Sequence, residues 1–272
     1  MKRTFVALAA LAVPFLAAAQ QAVTVKGSDT MVILAQRWAE DYMKKNPKQK
    51  VQVTGGGSGT GIAALINGTT DIADASRTIK PEEIAQVKAK FNVEPVATVV
   101  AKDGVAIYVN EANPVQQLTQ DQIKAIYMGD VTNWKEVGGS DARIILYSRE
   151  NSSGTYVFVK EHVLKNGDFA ASAQTLPGTA AVVNAIASEK WGIGYGGAAY
   201  AKGVKELKVV GADAQPWLPN AANVKSGKYP LSRPLHMYTR GAPAGDAKKF
   251  VDFCLSKEGQ EIVTAVGYYP VQ

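Results

Sequence analysis

From Val23 onward the chain alternates short β-branched runs with segments of helical period, and this alternation limits the possible folds more than any other feature. Val23-Thr24-Val25 reads as a strand, after which Met31, Leu34, Trp38 and Tyr42 fall on one helical face ending near Asn46-Pro47. Val51-Gln52-Val53 is a second strand. A glycine-rich turn, a short helix from Ile62 to Asn67 closed by Gly68, and strands at Ile72-Ala73 and Pro95 to Val100 follow. Strands that alternate with helices in this order predict α/β lobes with largely parallel sheets.

The texture changes at Lys102-Asp103-Gly104, and Val105 to Val109 reads as the strand that opens a new region. Thr119 and Gln122 form a capping box for a helix from Gln120 to Met128, which Gly129 stops. Further strands are expected at Ile144 to Leu146, 191–197, Leu207 to Val210 and Leu235 to Thr239, with helices from Tyr156 to about Lys165 and from about Asp246 to Ala265. The strands near 105–109 and 235–239 bracket the middle of the chain. The expected architecture is two α/β lobes, one formed by 20–104 with 238–272 and the other by 105–237, joined by two crossings.

Met1-Lys2-Arg3, the apolar run Phe5 to Ala19 with Pro14 inside it, and small residues at Ala17 and Ala19 predict a secretory signal peptide over 1–19. The run is shorter than the roughly 20 residues that span a bilayer, and no cysteine near the cleavage point offers a lipid anchor. A mature chain of about 250 residues, exported to the periplasm and large enough for two lobes, is expected. Cys254 is the only cysteine, so an internal disulfide is impossible, and its apolar surroundings place it on a buried helix face. Without Lys2 and Arg3 the chain keeps 28 basic against 24 acidic residues, a balance that favours anionic ligands. The lysine-rich run Lys44 to Lys50 sits at a predicted helix end without interleaved aromatics, which fits a solvated helix terminus and not a nucleic-acid surface.

Three turns share one design, in which a strand ends, small hydroxyl or glycine residues follow, and a helix starts. They are Gly27-Ser28-Asp29-Thr30-Met31, Gly55 to Gly61 around Ser58, and Ser148-Arg149-Glu150-Asn151-Ser152-Ser153-Gly154-Thr155. Each predicted helix start exposes unpaired N–H donors backed by the positive end of the helix dipole. Any one turn is explained by ordinary N-capping. Five glycines in seven residues at 55–61 exceed what capping requires, because glycine costs stability unless the backbone needs it. Together the three predict an oxyanion site, with Arg77 beside Ser76 and Arg149 in the third turn as its cations, since a guanidinium presents a planar fork to two anion oxygens.

The glycine turn lacks the Gly-Lys-Ser/Thr of a P-loop, fits no Gly-x-Gly-x-x-Gly register, and has Thr60 where a nucleophile elbow requires glycine. Only His162 and His236 are available as imidazole bases, one within a predicted helix and one within a predicted strand, and both are expected to be structural. Neither a catalytic centre nor a metal or cofactor site is expected.

With these motifs the chain resembles the phosphate-binding components of bacterial ABC importers, a branch of the type 2 periplasmic binding proteins. The resemblance covers nearly all of the mature chain and rests on Gly27 to Thr30, Gly55 to Gly61, Asp71 to Arg77, Arg149 to Thr155 and Trp191 to Tyr195. It implies inorganic phosphate as ligand, held in a cleft between the two lobes, membrane permease subunits as partners and no chemistry done on the cargo; a monomer is expected. Carried over by position, ligand contacts fall on Ser28, Asp29, Thr30, Ser58, Ser76, Arg77, Arg149, Ser153, Gly154 and Thr155. Relatives carry an aspartate where this chain has Ser76. That aspartate accepts a proton from bound phosphate and repels sulfate, so Asp29 is the expected substitute acceptor, and a receptor for sulfate or a different tetrahedral oxyanion stays open. The motifs also admit a secreted phosphatase using Ser58 or Ser153, or an adhesion or sensing protein built on the same fold.

Overall fold

The structure is a computed structural model that describes residues 22–271, and the expected signal peptide lies outside them. Strands β1 (Val23–Gly27), β2 (Val51–Thr54) and β3 (Ile72–Ala75) pair in parallel in the order β2-β1-β3. Parallel neighbours need crossovers, supplied here by helices α1 (Val32–Lys45) and α2 (Ser58–Asn67), while α3 (Pro81–Phe91) leads out of β3. Met31, Leu34, Trp38 and Tyr42 are all buried, as their spacing predicts. Helix α2 begins at Ser58, four residues before the expected start, so the glycine-rich turn itself forms its first turn.

β4 (Pro95–Val109) is one 15-residue strand where the sequence reads as two. Its first part runs antiparallel to β11 (Ser232–Arg240), which also pairs antiparallel with β3. Its second part pairs antiparallel with β8 (Gly192–Gly197) and β9 (Lys205–Val210). The polar triplet Lys102-Asp103-Gly104 does not end the strand, because it stays in register with Pro234, Arg233 and Ser232 of β11.

The second lobe adds β5 (Gln117–Thr119), α4 (Gln120–Met128), β6 (Ile145–Arg149), α5 (Gly154–His162), β7 (Gln174–Leu176) and α6 (Gly178–Ser188). β10 (Pro216–Trp217) and α7 (Ala221–Lys225) complete it. Its strands run β4-β8-β6-β7, with β8, β6 and β7 mutually parallel. The capping box is present as expected: Gln122 N–H donates to Thr119 Oγ1 at 3.1 Å, and Thr119 N–H donates to Gln122 Oε1 at 2.9 Å.

Each lobe has its own apolar core. The first gathers Val25, Trp38, Ile72, Ala101, Leu235, Met237 and Phe250, and the second gathers Val105, Ile107, Ile126, Trp134, Ile193 and Leu231. The chain changes core between Ala101 and Val105 along β4, and between Leu231 and Leu235 entering β11. The return crossing therefore lies before the expected 237/238 boundary. β11 starts three residues before the expected Leu235, runs through Pro234, and carries Leu235 and Met237 into the first core. The predicted C-terminal helix is two, α8 (Gly245–Leu255) and α9 (Lys257–Val266), separated by Ser256, whose extended backbone and side chain cap the second.

Candidate anion-binding site

The three turns meet where the lobes touch. Ser28 Oγ donates to Ser76 Oγ at 2.9 Å, Ser58 Oγ lies 3.4 Å from Ser76 Oγ, and the Ser76 N–H donates to Ser58 Oγ at 3.0 Å. From the second lobe, Thr155 Oγ1 stands 2.9 Å from Thr30 Oγ1. Ser28, Thr30, Ser58, Ser76, Ser153 and Thr155 are all buried. Isolated hydroxyls would pay a desolvation cost here, and mutual hydrogen bonding offsets it.

Helix geometry explains why these side chains converge. Helices α2 and α5 start at Ser58 and Gly154, so both direct free backbone donors at the lobe interface. One donor is used across it: Gly59 N–H donates to Ser152 O at 2.8 Å. Ser153 caps α5 by accepting the Tyr156 N–H at 3.2 Å, which occupies its oxygen and leaves its proton free to donate. A Cβ on Gly154 would lie 2.3 Å from Ser58 Oγ and 2.7 Å from Ser76 Oγ, so only glycine allows the lobes to approach this closely. Gly57, with φ of +92°, faces Ser152 O, and a Cβ there would sit 2.5 Å from that oxygen.

Arg149 ends β6 with its side chain 1 % exposed. Its Nη1 donates to Thr179 Oγ1 at 3.0 Å, and its Nη2 donates to Asp29 Oδ2 at 2.7 Å across the interface. Glu150 Oε2 lies 3.5 Å from Nε. Tyr195 holds the strand end from behind, its hydroxyl 2.8 Å from Ser148 Oγ and accepting the Arg149 N–H at 3.3 Å. Asp29 accepts a second hydrogen bond on Oδ1 from the Gly56 N–H at 2.7 Å, so one carboxylate ties all three turns together. Both of its oxygens serve protein donors.

Arg77 is placed differently from the sequence expectation. Its guanidinium grips Glu83 in a two-point pair at 2.8 and 2.6 Å, and donates to Thr78 O at 3.0 Å. Glu83 lies six residues downstream in the first turn of α3, where its charge also suits the helix dipole. Adjacency to Ser76 in sequence does not put the Arg77 fork in the hydroxyl cluster.

The second guanidinium in the cluster belongs to Arg233, which the sequence pattern does not single out. It pairs with buried Asp103 through Nε at 3.0 Å and Nη2 at 2.8 Å, and Nη2 also donates to Thr155 Oγ1 at 3.0 Å. The available signal was Asp103 itself: a charged residue inside an apolar strand calls for a buried partner.

Chemically, the cluster offers hydroxyl, amide and guanidinium donors. The oxygens of Ser28, Ser58, Ser76 and Ser153 contact other hydroxyls and backbone N–H groups, and among the described residues no histidine or carboxylate oxygen is bonded to them to take a proton. His162 stacks on Phe158 and His236 on Tyr238, and burial pushes His236 below its ordinary value. Among the described residues no group of three or more potential ligands could hold a metal ion.

Two α/β lobes, each with its own core, joined by β4 and β11 and meeting over a buried donor cluster, define a type 2 periplasmic binding protein. The PBP superfamily domain matches residues 16–258, and the chain belongs to this superfamily and, within it, to the phosphate-binding protein family. The phosphate-binding protein PstS of Pseudomonas aeruginosa is 35% identical over 263 residues, covering 90% of this chain and 81% of the relative. PstS of Bacillus subtilis is 35% identical over 254 residues, covering 93% and 82%. A phosphate ABC transporter substrate-binding protein from Clostridium perfringens, solved with bound phosphate, superposes with a TM-score of 0.83 at 32% identity, over 93% of this chain and 100% of that one.

Proposed function

We propose that the protein captures inorganic phosphate between its lobes in the periplasm and delivers it, as a monomer, to the permease of an ABC importer. Lobes of 22–104 with 232–271, and of 105–231, rotate about the two crossings. The ligand is held by Ser28, Thr30, Ser58, Ser76, Arg149, Ser153, Gly154 and Thr155, while Asp29 orients Arg149. The observation that carries this reading is the donor cluster drawn from both lobes, bridged by the 2.9 Å contact of Thr30 with Thr155. Such a cluster stabilises an oxyanion with dipoles and paired cations, and it supplies no base to activate a serine. The protein is therefore read as a receptor without catalysis, and the cleavable leader over 1–19 as its route of export.

One observation favours a wider ligand range. Ser76 holds no charge to repel a fully ionised anion, so sulfate competes better here than in relatives with an aspartate at that position. Calorimetric titration of anion-free mature protein with phosphate, repeated in excess sulfate, tests both points. Tight one-to-one phosphate binding that persists in sulfate is expected; binding of neither anion overturns the receptor reading.

A further inference from the structure

Arg233 belongs to the hinge by its backbone and to the donor cluster by its side chain. It sits on β11, in register with Asp103 of β4, so the ion pair joins the two crossings rung to rung. The Arg233 side chain is 2% exposed and that of Asp103 0%. From there the guanidinium reaches both lobes: Nη1 donates to Ser76 O at 3.0 Å, and Nη2 donates to Thr155 Oγ1 at 3.0 Å and Thr30 Oγ1 at 3.4 Å. Its Cζ lies 5.3 Å from the Phe158 ring in α5.

We infer that Arg233, held by Asp103, is a positioning residue for the anion site: it fixes the hydroxyls of Thr30 and Thr155 as donors and couples their meeting to the hinge. The inference rests on the receptor reading above. A threonine oxygen that accepts from a guanidinium must turn its own proton elsewhere. Thr30 and Thr155 stand 2.9 Å apart, so one proton closes that contact and the other points away from Arg233. Of the four lone pairs on the two oxygens, the guanidinium and the shared proton take three, so the pair presents a free proton whose direction is set, which suits a deprotonated anion oxygen. Asp103 neutralises the guanidinium, so Arg233 acts through the hydroxyls it orients and not as a second free charge on the ligand. Because the two threonines come from opposite lobes, the complete arrangement exists only when the lobes are together. Ser76, pinned through its carbonyl, is held by the same side chain.

A double-mutant cycle tests this, with phosphate affinity read by calorimetry on the mature protein and folding checked by thermal unfolding. Arg233→Lys keeps the charge but loses the fork, and phosphate binding is expected to weaken by about 10- to 100-fold, the usual range for lost hydrogen bonds from a charged donor. In a Thr155→Val background the same change is expected to cost several-fold less, because one of the two hydroxyls it orients, and the Thr30–Thr155 contact with it, is gone. An equal loss in both backgrounds, or no loss in either, overturns the inference while leaving the receptor reading intact. A wild-type protein that binds no phosphate overturns the receptor reading first. Should Arg233→Lys not fold, Asp103→Asn with Arg233→Gln replaces the pair by neutral amides and leaves no buried charge without its counter-charge, and the same non-additivity with Thr155→Val is required.

Discussion

Asp29 and Arg149 stand on opposite lobes with Oδ2 and Nη2 2.7 Å apart, and this contact links the first turn to the third. The other carboxylate oxygen holds the Gly56 N–H of the second turn. A single side chain therefore reports whether all three turns are assembled, and it does so from beside the ligand position, with its own acceptor capacity directed at protein donors.

Asp29→Asn follows from this geometry. The amide keeps one acceptor but loses the charge that orients Arg149, and phosphate affinity is expected to fall by about 10- to 100-fold, the scale of a charge-assisted contact. The ratio of phosphate to sulfate affinity is expected to stay constant. Competitive titration with the two anions measures it, and a collapse of the ratio would instead make Asp29 the group that accepts the proton of bound phosphate.

Gly154→Ala tests closure separately from folding. The added methyl would meet Ser58 Oγ at 2.3 Å and Ser76 Oγ at 2.7 Å, contacts made only when the lobes come together. Within its own lobe Gly154 opens α5, where alanine is well tolerated. Phosphate binding is expected to drop by about 10- to 100-fold, in line with the overpacking cost of a buried methyl, while the melting temperature without ligand stays within a few degrees. Small-angle scattering should show no compaction on adding phosphate; compaction like that of the wild type would mean the lobes yield at this point.

How far the sequence led depends on whether a signal is local. The capping box at Thr119 and Gln122, the Gly129 stop and the buried face of α1 are local, and each was legible. The three turns were legible as helix starts because their glycines and hydroxyls are contiguous. Arg77 was misplaced because its partner Glu83 is chosen by packing of α3, which adjacency to Ser76 does not reveal. Arg233 was missed because its relation to Asp103 spans 130 residues and exists only through the pairing of β4 with β11. The polar triplet at 102–104 split β4 into two predicted strands, and β11 was read from Leu235 and not from Ser232, since a local reading cannot see the cross-strand partner that keeps these residues extended.

Cys254 is fully buried in the first core, and burial drives its thiol well above the ordinary value, with buried Asp74 adding to the effect. Reaction requires a thiolate in contact with solvent. A thiol-specific chromogenic reagent is thus expected to label the native protein at the rate of local or global opening, and to label one thiol at once in denaturant. Rapid labelling of the native chain at neutral pH would show that α8 opens readily from the core.

A buried carboxyl, Asp74, and a half-buried one, Glu206, set a pH dependence of stability with the sign opposite to that of paired surface acids. Burial, with Asp103 nearby, pushes Glu206 up to about 7 from 4.5, and burial alone pushes Asp74 well above 3.8; Glu206 Oε1 and Asp74 Oδ1 lack hydrogen-bond partners among the described residues. Below the unfolded values both states hold these protons and the groups contribute no slope. Between the unfolded value and the folded one, the native chain keeps a proton that the unfolded chain has released, so stability falls as pH rises, by about 1.4 kcal/mol per unit for each group. For Glu206 that window runs from 4.5 to about 7. Urea unfolding of the wild type and Glu206→Gln at pH 5 and pH 7 isolates the glutamate, because all other groups titrate alike in both. The stability lost between the two pH values is expected to be smaller in the variant by roughly 2 kcal/mol, and an identical loss in both proteins would mean that Glu206 is ionised in the folded state throughout this range.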